Sequence, residues 1–132
     1  MRVPILALGD ILLTAIQSDI TDEHAVALQT DILERMRESH ARGVVLDITG
    51  LDVIDSYMAR ILSETVRMAQ LMGGEVVITG MSPMVALTLV EMGRELVRGM
   101  AALTLERGLE RLREKFAETD GGGEEVFADG GR

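Results

Sequence analysis

Apolar residues recur along this chain with two different periods, and the change of period separates strands from helices. Four short apolar runs bounded by turn residues predict strands, over residues 5–8, 11–16, 44–48 and 76–79. Only Gly9 and Asp10 separate the first two runs, so we expect an antiparallel hairpin there. The last two runs are continuous and rich in Val and Ile, which is typical of strands covered on both faces.

Between these runs, apolar residues return every three or four positions, which predicts amphipathic helices. Four helix starts are marked by capping residues: Thr21, Asp55-Ser56, Ser82-Pro83 and Thr104. We expect the first helix to end in a left-handed turn at Gly43. The third helix carries apolar residues at Met84, Leu87 and Val90, and a weaker strand is expected near residues 99–101.

The order β-β-α-β-α-β-α-(β)-α predicts an α/β fold. Strands joined through helices imply right-handed crossovers and parallel pairing, whereas the opening hairpin makes the sheet mixed. We therefore expect a mixed sheet of four to five strands with about four helices. The domain is expected to span residues 1–117. The tail, 118–132, contains a Gly triplet and mostly acidic residues, so we expect it to be disordered.

Composition narrows the class of protein. The 132 residues are 47% hydrophobic, which suits one domain with a sizeable core, and only 2% are aromatic, so the core is aliphatic. The absence of Cys excludes disulfides and thiolate chemistry. A net charge of −9 argues against nucleic acid or an anionic membrane as a partner. No apolar run has the length of a membrane span, so we expect a cytoplasmic protein.

The nine Met residues have two explanations. Met fills irregular gaps in a core, but it also occurs on adaptable interaction surfaces. Of the nine, we expect some of Met58, Met84 and Met92 to lie on an assembly surface.

Motifs of catalysis are absent from the sequence. Ser56 lacks both glycines of Gly-x-Ser-x-Gly, and no phosphate-binding Gly-x-x-x-x-Gly-Lys-Ser/Thr occurs. The histidines, His24 and His40, have no ligand partner at metal-binding spacing. We therefore predict no enzymatic activity, no catalytic residue and no cofactor.

Three aspartates lie close together in the sequence around one predicted turn, Asp47, Asp52 and Asp55. Carboxylates can hold a divalent cation, but capping of the helix and solvation of the turn explain these residues more simply. We therefore predict no metal site.

The same turn presents one hydroxyl, that of Ser56, where the second helix begins. A hydroxyl at a helix start beside acidic residues suits a phosphorylation switch, because the helix dipole and free N–H groups stabilise a phosphate. The alternative is an ordinary helix-start residue. The sequence also leaves open whether Thr79 or Ser82 is a second phosphorylation site.

The chain resembles the STAS domain family, named for sulfate transporters and anti-sigma-factor antagonists. The resemblance is carried by an aliphatic strand that ends in Asp, a short turn, and Asp-Ser at a helix start. Five stretches carry it together, at residues 44–49, 52–56, 71–73, 76–80 and 105–109. It implies the anti-sigma-factor antagonist-like fold over nearly the whole ordered chain.

Within that family, the chain is most similar to scaffold proteins of the stressosome, a large cytoplasmic signalling complex. The resemblance implies assembly with paralogous STAS proteins, as a homo-oligomer or dimer at least. It also implies that the protein sequesters a switch serine/threonine kinase and releases it when Ser56 is phosphorylated, and that a phosphatase resets the serine. The implied partner-binding residues are Asp52, Asp55, Ser56 and Tyr57.

Two alternatives remain open at this point. A simple anti-sigma-factor antagonist would have the same fold and the same serine switch in a different circuit. A small-ligand or nucleotide sensor would instead use a pocket beyond the strand ends, where open α/β sheets bind ligands.

Overall fold

The computed structural model describes residues 2–93 and 100–130, and within them a five-stranded sheet carries helices on both faces. The elements in chain order are β1 (Leu6–Leu8), β2 (Ile11–Gln17), α1 (Asp22–Ser39), β3 (Gly43–Gly50), α2 (Ser56–Leu71), β4 (Glu75–Thr79), α3 (Pro83–Glu91), β5 (Met100–Ala102) and α4 (Leu105–Gly130). The strand order in the sheet is β1-β2-β3-β4-β5. The first pair is antiparallel and the other pairs are parallel, so the predicted mixed α/β fold is confirmed.

Successive residues of a strand face opposite sides of the sheet, and this alternation separates two cores. On one side, Leu46 and Ile78 pack with Ile32 of α1 and Leu62 of α2 in the larger core, to which α3 also contributes. The other side carries a smaller cluster, consisting of Ile11, Val45, Val77, Leu112 and Phe116. Within the described residues, one face is therefore covered by three helices and the other by α4 alone.

The expected left-handed turn at Gly43 is wrong. Helix α1 ends earlier, and His40 takes the left-handed conformation with φ 56°. Gly43 opens β3 instead, and a Cβ atom there would lie 2.9 Å from the Phe116 ring and 3.2 Å from Leu112. The glycine is needed because α4 packs closely on the sheet, a long-range contact that the local pattern does not contain.

Helix α4 begins at Leu105, next to the predicted cap Thr104, and continues past residue 117. Arg42 holds its middle to the sheet edge. The guanidinium lies 4.4 Å from the centre of the Phe116 ring and binds both carboxylate oxygens of Asp120, at 3.0 and 3.2 Å. The division into a domain over residues 1–117 and a disordered tail over 118–132 stays a prediction.

Candidate functional site

Two helices begin at the edge of the sheet where the parallel strands β3 and β4 end. Helix α2 starts six residues after Gly50, and α3 starts four residues after Thr79. The Ser82 hydroxyl donates to the backbone carbonyl of Asp52 at 2.9 Å, which joins the start of α3 to the loop before α2. This edge therefore presents the two helix starts as one connected surface.

Asp55 caps helix α2. Its backbone is extended, with φ −95° and ψ 180°, and its carboxylate accepts a hydrogen bond from the Met58 N–H at 2.8 Å. Its backbone carbonyl accepts from the Ala59 N–H at 3.0 Å. The cap is thus supplied by the residue before Ser56, and Ser56 becomes the first residue of the helix.

The Ser56 side chain is exposed, and its hydroxyl makes no hydrogen bond within the part of the chain that the structure describes. A phosphate attached there would meet the positive end of the α2 dipole. The geometry therefore allows modification of Ser56 without disturbing a bond that the fold uses.

The other residues predicted to bind a partner lie within four positions of this serine in the chain. Asp52 and Asp55 are exposed, and Tyr57 is half-buried with the Arg60 guanidinium 5.2 Å from its ring centre. Val53, at 65% exposure, projects an apolar side chain beside them. The surface thus combines two acids, one hydroxyl and apolar area.

The two alternative phosphorylation sites have hydroxyls that are already in use. Thr79 is fully buried and donates to Oδ1 of Asp47 at 2.7 Å. Ser82 caps α3 by accepting from the Val85 N–H at 3.2 Å while it donates to Asp52. Modification at either position would require these bonds to break.

Asp47 does not join the acids near Ser56 in a metal site. It has the same strand parity as Val45 and accepts hydrogen bonds at one oxygen from Thr49 and Thr79, at 2.9 and 2.7 Å. Residues 2–93 and 100–130 contain no group of three potential ligands that could hold a metal ion.

An exposed apolar stripe runs along α3, made of Met84, Leu87 and Val90 at 53%, 48% and 60% exposure. The buried residues of this helix are Val85 and Leu89. The sequence identified the apolar residues of α3 but not which of them face solvent. Apolar residues lie on all sides of this helix, so their spacing does not indicate which side is buried.

The three Met candidates for an assembly surface divide in the same way. Met84 and Met92 are exposed, whereas Met58 lies in the larger core at 7% exposure. Only Met84 and Met92 of the three therefore remain candidates, because the first turn of α2 directs Met58 toward the sheet. The hypothesis that some of them lie on an assembly surface stays a prediction.

Among the helices in the described ranges, none combines the length and the apolar content that crossing a membrane requires.

Comparison with known proteins places this arrangement in a family. Residues 3–98 match the family model described as STAS domain. A structure of RsbS from Moorella thermoacetica, in a variant with serine replaced by glutamate, is 36% identical with a TM-score of 0.82. The match covers 89% of this chain and 99% of that one.

A second structure comes from work on the molecular architecture of the stressosome, a signal integration and transduction hub. Its matching chain is 37% identical with a TM-score of 0.76, over 84% of this chain and 96% of that one. The curated relative is the RsbT co-antagonist protein RsbRA of Bacillus subtilis strain 168, 26% identical over 91 residues. The match covers 69% of this chain and 33% of RsbRA, so it spans about a third of that protein's length.

The family model covers most of the chain. The order of strands and helices, and the position of Ser56 directly after the helix cap Asp55, agree with the resemblance found in the sequence. The chain belongs to the STAS domain family.

Proposed function

We propose that this chain is a non-enzymatic, RsbS-like scaffold of a stressosome-type complex. It sequesters an RsbT-like switch kinase, which phosphorylates Ser56 and is thereby released to control a stress response. A phosphatase returns the serine to its resting state. The likeness to RsbS and to the stressosome chain supports the assembly role.

The observation that carries the switch is the exposed Ser56 hydroxyl in the first turn of α2. Because Asp55 already caps this helix, the fold does not need that hydroxyl. Phosphorylation adds about −1.5 to −2 charges and three acceptor oxygens. The N–H groups and dipole of α2 stabilise such a group, so the domain remains folded after modification.

The effect of the phosphate falls on the partner. The partner surface docks on the neutral Ser56 hydroxyl, close in the chain to Asp52 and Asp55, and excludes water from the contact. After phosphorylation the same contact has to desolvate a doubly charged group next to two carboxylates. A loss of about 3 kcal/mol weakens binding roughly a hundredfold, which is enough to release a kinase.

The apolar stripe of α3 supports a contact role for the same edge. Met84, Leu87 and Val90 lie on the helix whose cap, Ser82, is bonded to Asp52 in the loop before α2. Exposed apolar area next to polar recognition groups is typical of a protein-binding surface. We assign this area to contacts with the kinase or with paralogous, RsbR-like STAS proteins.

Incubation with the cognate kinase and ATP, followed by intact-mass and peptide mass spectrometry, tests the switch. We expect one phosphate per chain in the wild type and in Ser82→Ala, and none in Ser56→Ala. Continued phosphorylation of folded Ser56→Ala would contradict the assignment of the site.

Particle size separates the scaffold from the simple anti-sigma-factor antagonist. A scaffold mixed with its paralogous STAS partners should elute as a very large particle that contains both proteins. An antagonist should run as a monomer or dimer under the same conditions, and that result would favour the alternative circuit.

A further inference from the structure

A cavity of about 520 Å³ lies around the β1–β2 hairpin. Leu6, Leu13 and Ala15 line it from the sheet face that carries α4, and Ile20, Thr21 and His24 line it from the side of α1. Helix α4 covers Ile11 and Val45 of this face but contributes only its first residue, Leu105, to the cavity wall. Toward the carboxyl end of β2, Leu13 is therefore only half-buried and Ala15 is exposed. On this face the cavity occupies the part of the hairpin that α4 leaves uncovered.

The walls have the chemistry of a small-molecule site. Apolar atoms make up most of the surface, and Leu6, Leu13, Ala15, Ile20 and Leu105 contribute to it. Ligand pockets typically enclose about 300–1,000 Å³, are mainly apolar and contain a few polar groups that orient the ligand. The cavity also reaches the carboxyl ends of strands, where open α/β sheets bind ligands.

The charged groups of the wall select the sign of the ligand. Arg2 reaches the cavity, but Asp31 already binds its guanidinium through both carboxylate oxygens, at 2.8 and 3.0 Å. Asp19 and Asp47 also line it, and neither forms a salt bridge with any residue that the structure describes. Because no salt bridge within the described residues neutralises these two carboxylates, they favour a cation and oppose an anion such as a nucleotide.

Asp47 is the better anchor of the two. It is half-buried near the carboxyl end of the central strand β3, and its Oδ1 accepts hydrogen bonds from the hydroxyls of Thr49 and Thr79. These bonds fix the carboxylate without removing its charge. Because partial burial reduces screening by water, an ammonium group beside Asp47 gains more than it would at an open surface.

We propose that this cavity binds a small amphipathic cation, an apolar ring system that carries one ammonium group placed against Asp47. The site is separate from the phosphorylation switch, because none of Asp52, Asp55, Ser56 and Tyr57 lines the cavity. It gives the domain an input for a chemical signal separate from the kinase surface.

The chain contains no Trp, so the fluorescence of an indole probe can be followed almost without protein background. We would titrate the full-length protein with tryptamine, tryptophol and indole-3-propionate, which share the indole ring and carry a positive, a zero and a negative charge. We expect tryptamine to bind about tenfold more tightly than tryptophol, and indole-3-propionate to bind most weakly.

Two variants distinguish charge from shape. Asp47→Asn keeps an oxygen that accepts from Thr49 and Thr79, so the fold is retained, and it should make tryptamine and tryptophol bind equally. Ala15→Phe fills the cavity from an exposed position and should abolish binding of all three probes. Glu114→Gln removes an exposed acid of α4 that does not line the cavity, and it should leave the binding of all three probes unchanged.

Equal binding of the three probes by the wild type, or unchanged tryptamine binding by folded Asp47→Asn, would overturn the proposal. Sedimentation then identifies another occupant. A wild-type dimer that binds no probe and that Ala15→Phe converts to a monomer would assign the cavity to a second copy of the chain. The phosphorylation assay with Ser56→Ala is unaffected by either outcome, so the two proposals fail separately.

Discussion

Ser56 and Ser82 lie at the starts of neighbouring helices on the same side of the sheet, yet their hydroxyls differ in the hydrogen bonds that they form. Ser82 is itself the cap of α3, and its oxygen both accepts from the Val85 N–H and donates to Asp52. Ser56 follows its cap by one residue, and Asp55 accepts the equivalent bond from Met58. Whether a serine is the cap itself or the residue after it therefore decides whether its hydroxyl forms hydrogen bonds within the described part of the fold.

This difference explains why one serine suits a switch and the other suits a structural role. A phosphate on Ser82 would remove the donor that binds the Asp52 carbonyl and would disturb the cap of α3. On Ser56 the same group would break no hydrogen bond within residues 2–93 and 100–130. The number of bonds that modification has to break therefore separates two otherwise similar sites.

The largest expected effect is on kinase binding. Ser56→Asp should weaken binding of the cognate kinase about a hundredfold, because a negative charge is placed in a contact that accepts a neutral hydroxyl. Ser56→Ala should bind like the wild type and resist release by ATP. Surface plasmon resonance with both variants tests this, and equal affinities would contradict the switch.

The second-largest expected effect is a loss of folding stability on substitution of Ser82. Ser82→Ala should lower the free energy of unfolding by about 1–2 kcal/mol, because it removes both a cap and the donor to Asp52. Urea denaturation measures the loss. The matched variant Ser82→Asp keeps an acceptor for the cap and should recover part of the stability, whereas no recovery would show that capping is unimportant here.

A smaller loss is expected from the cap of α2. Asp55→Ala should cost about 1 kcal/mol, since the Met58 N–H loses its acceptor. Asp55→Asn supplies another capping oxygen and should restore most of the stability in the same denaturation experiment. If Asp55→Ala unfolds at the wild-type midpoint, the capping assignment is wrong.

The smallest expected effect is the change in stability caused by a substitution at Ser56. Ser56→Ala should change the free energy of unfolding by less than about 0.5 kcal/mol, because the side chain is exposed and its hydroxyl makes no bond in the described residues. Thermal unfolding of Ser56→Ala beside Ser82→Ala makes the contrast direct. Equal destabilisation by the two changes would remove the distinction between the serines.

Much of the architecture was predictable from local patterns. The hairpin around Gly9, the buried strands at residues 44–48 and 76–79 and the start of α2 at Asp55-Ser56 all match the structure. Period and capping residues act within a few positions of the chain, so they can be recognised without knowledge of the fold.

Predictions that depended on contacts between distant elements were less successful. Gly43 was expected in a turn, but α4 makes it necessary in a strand. The outward stripe of α3 and the burial of Met58 depend on how each helix is rotated against the sheet. An element that is apolar on all sides contains no local signal for that rotation.

By itself the sequence determined the order of strands and helices, the absence of cysteine chemistry and the position of one serine at a helix start. Tertiary structure decided which hydroxyls are in use, which face of α3 meets solvent and where the sheet is left uncovered. This difference follows from the distance along the chain over which each effect acts. Capping and periodicity act over about one helical turn. Exposure and cavities arise only when segments far apart in the chain pack against each other.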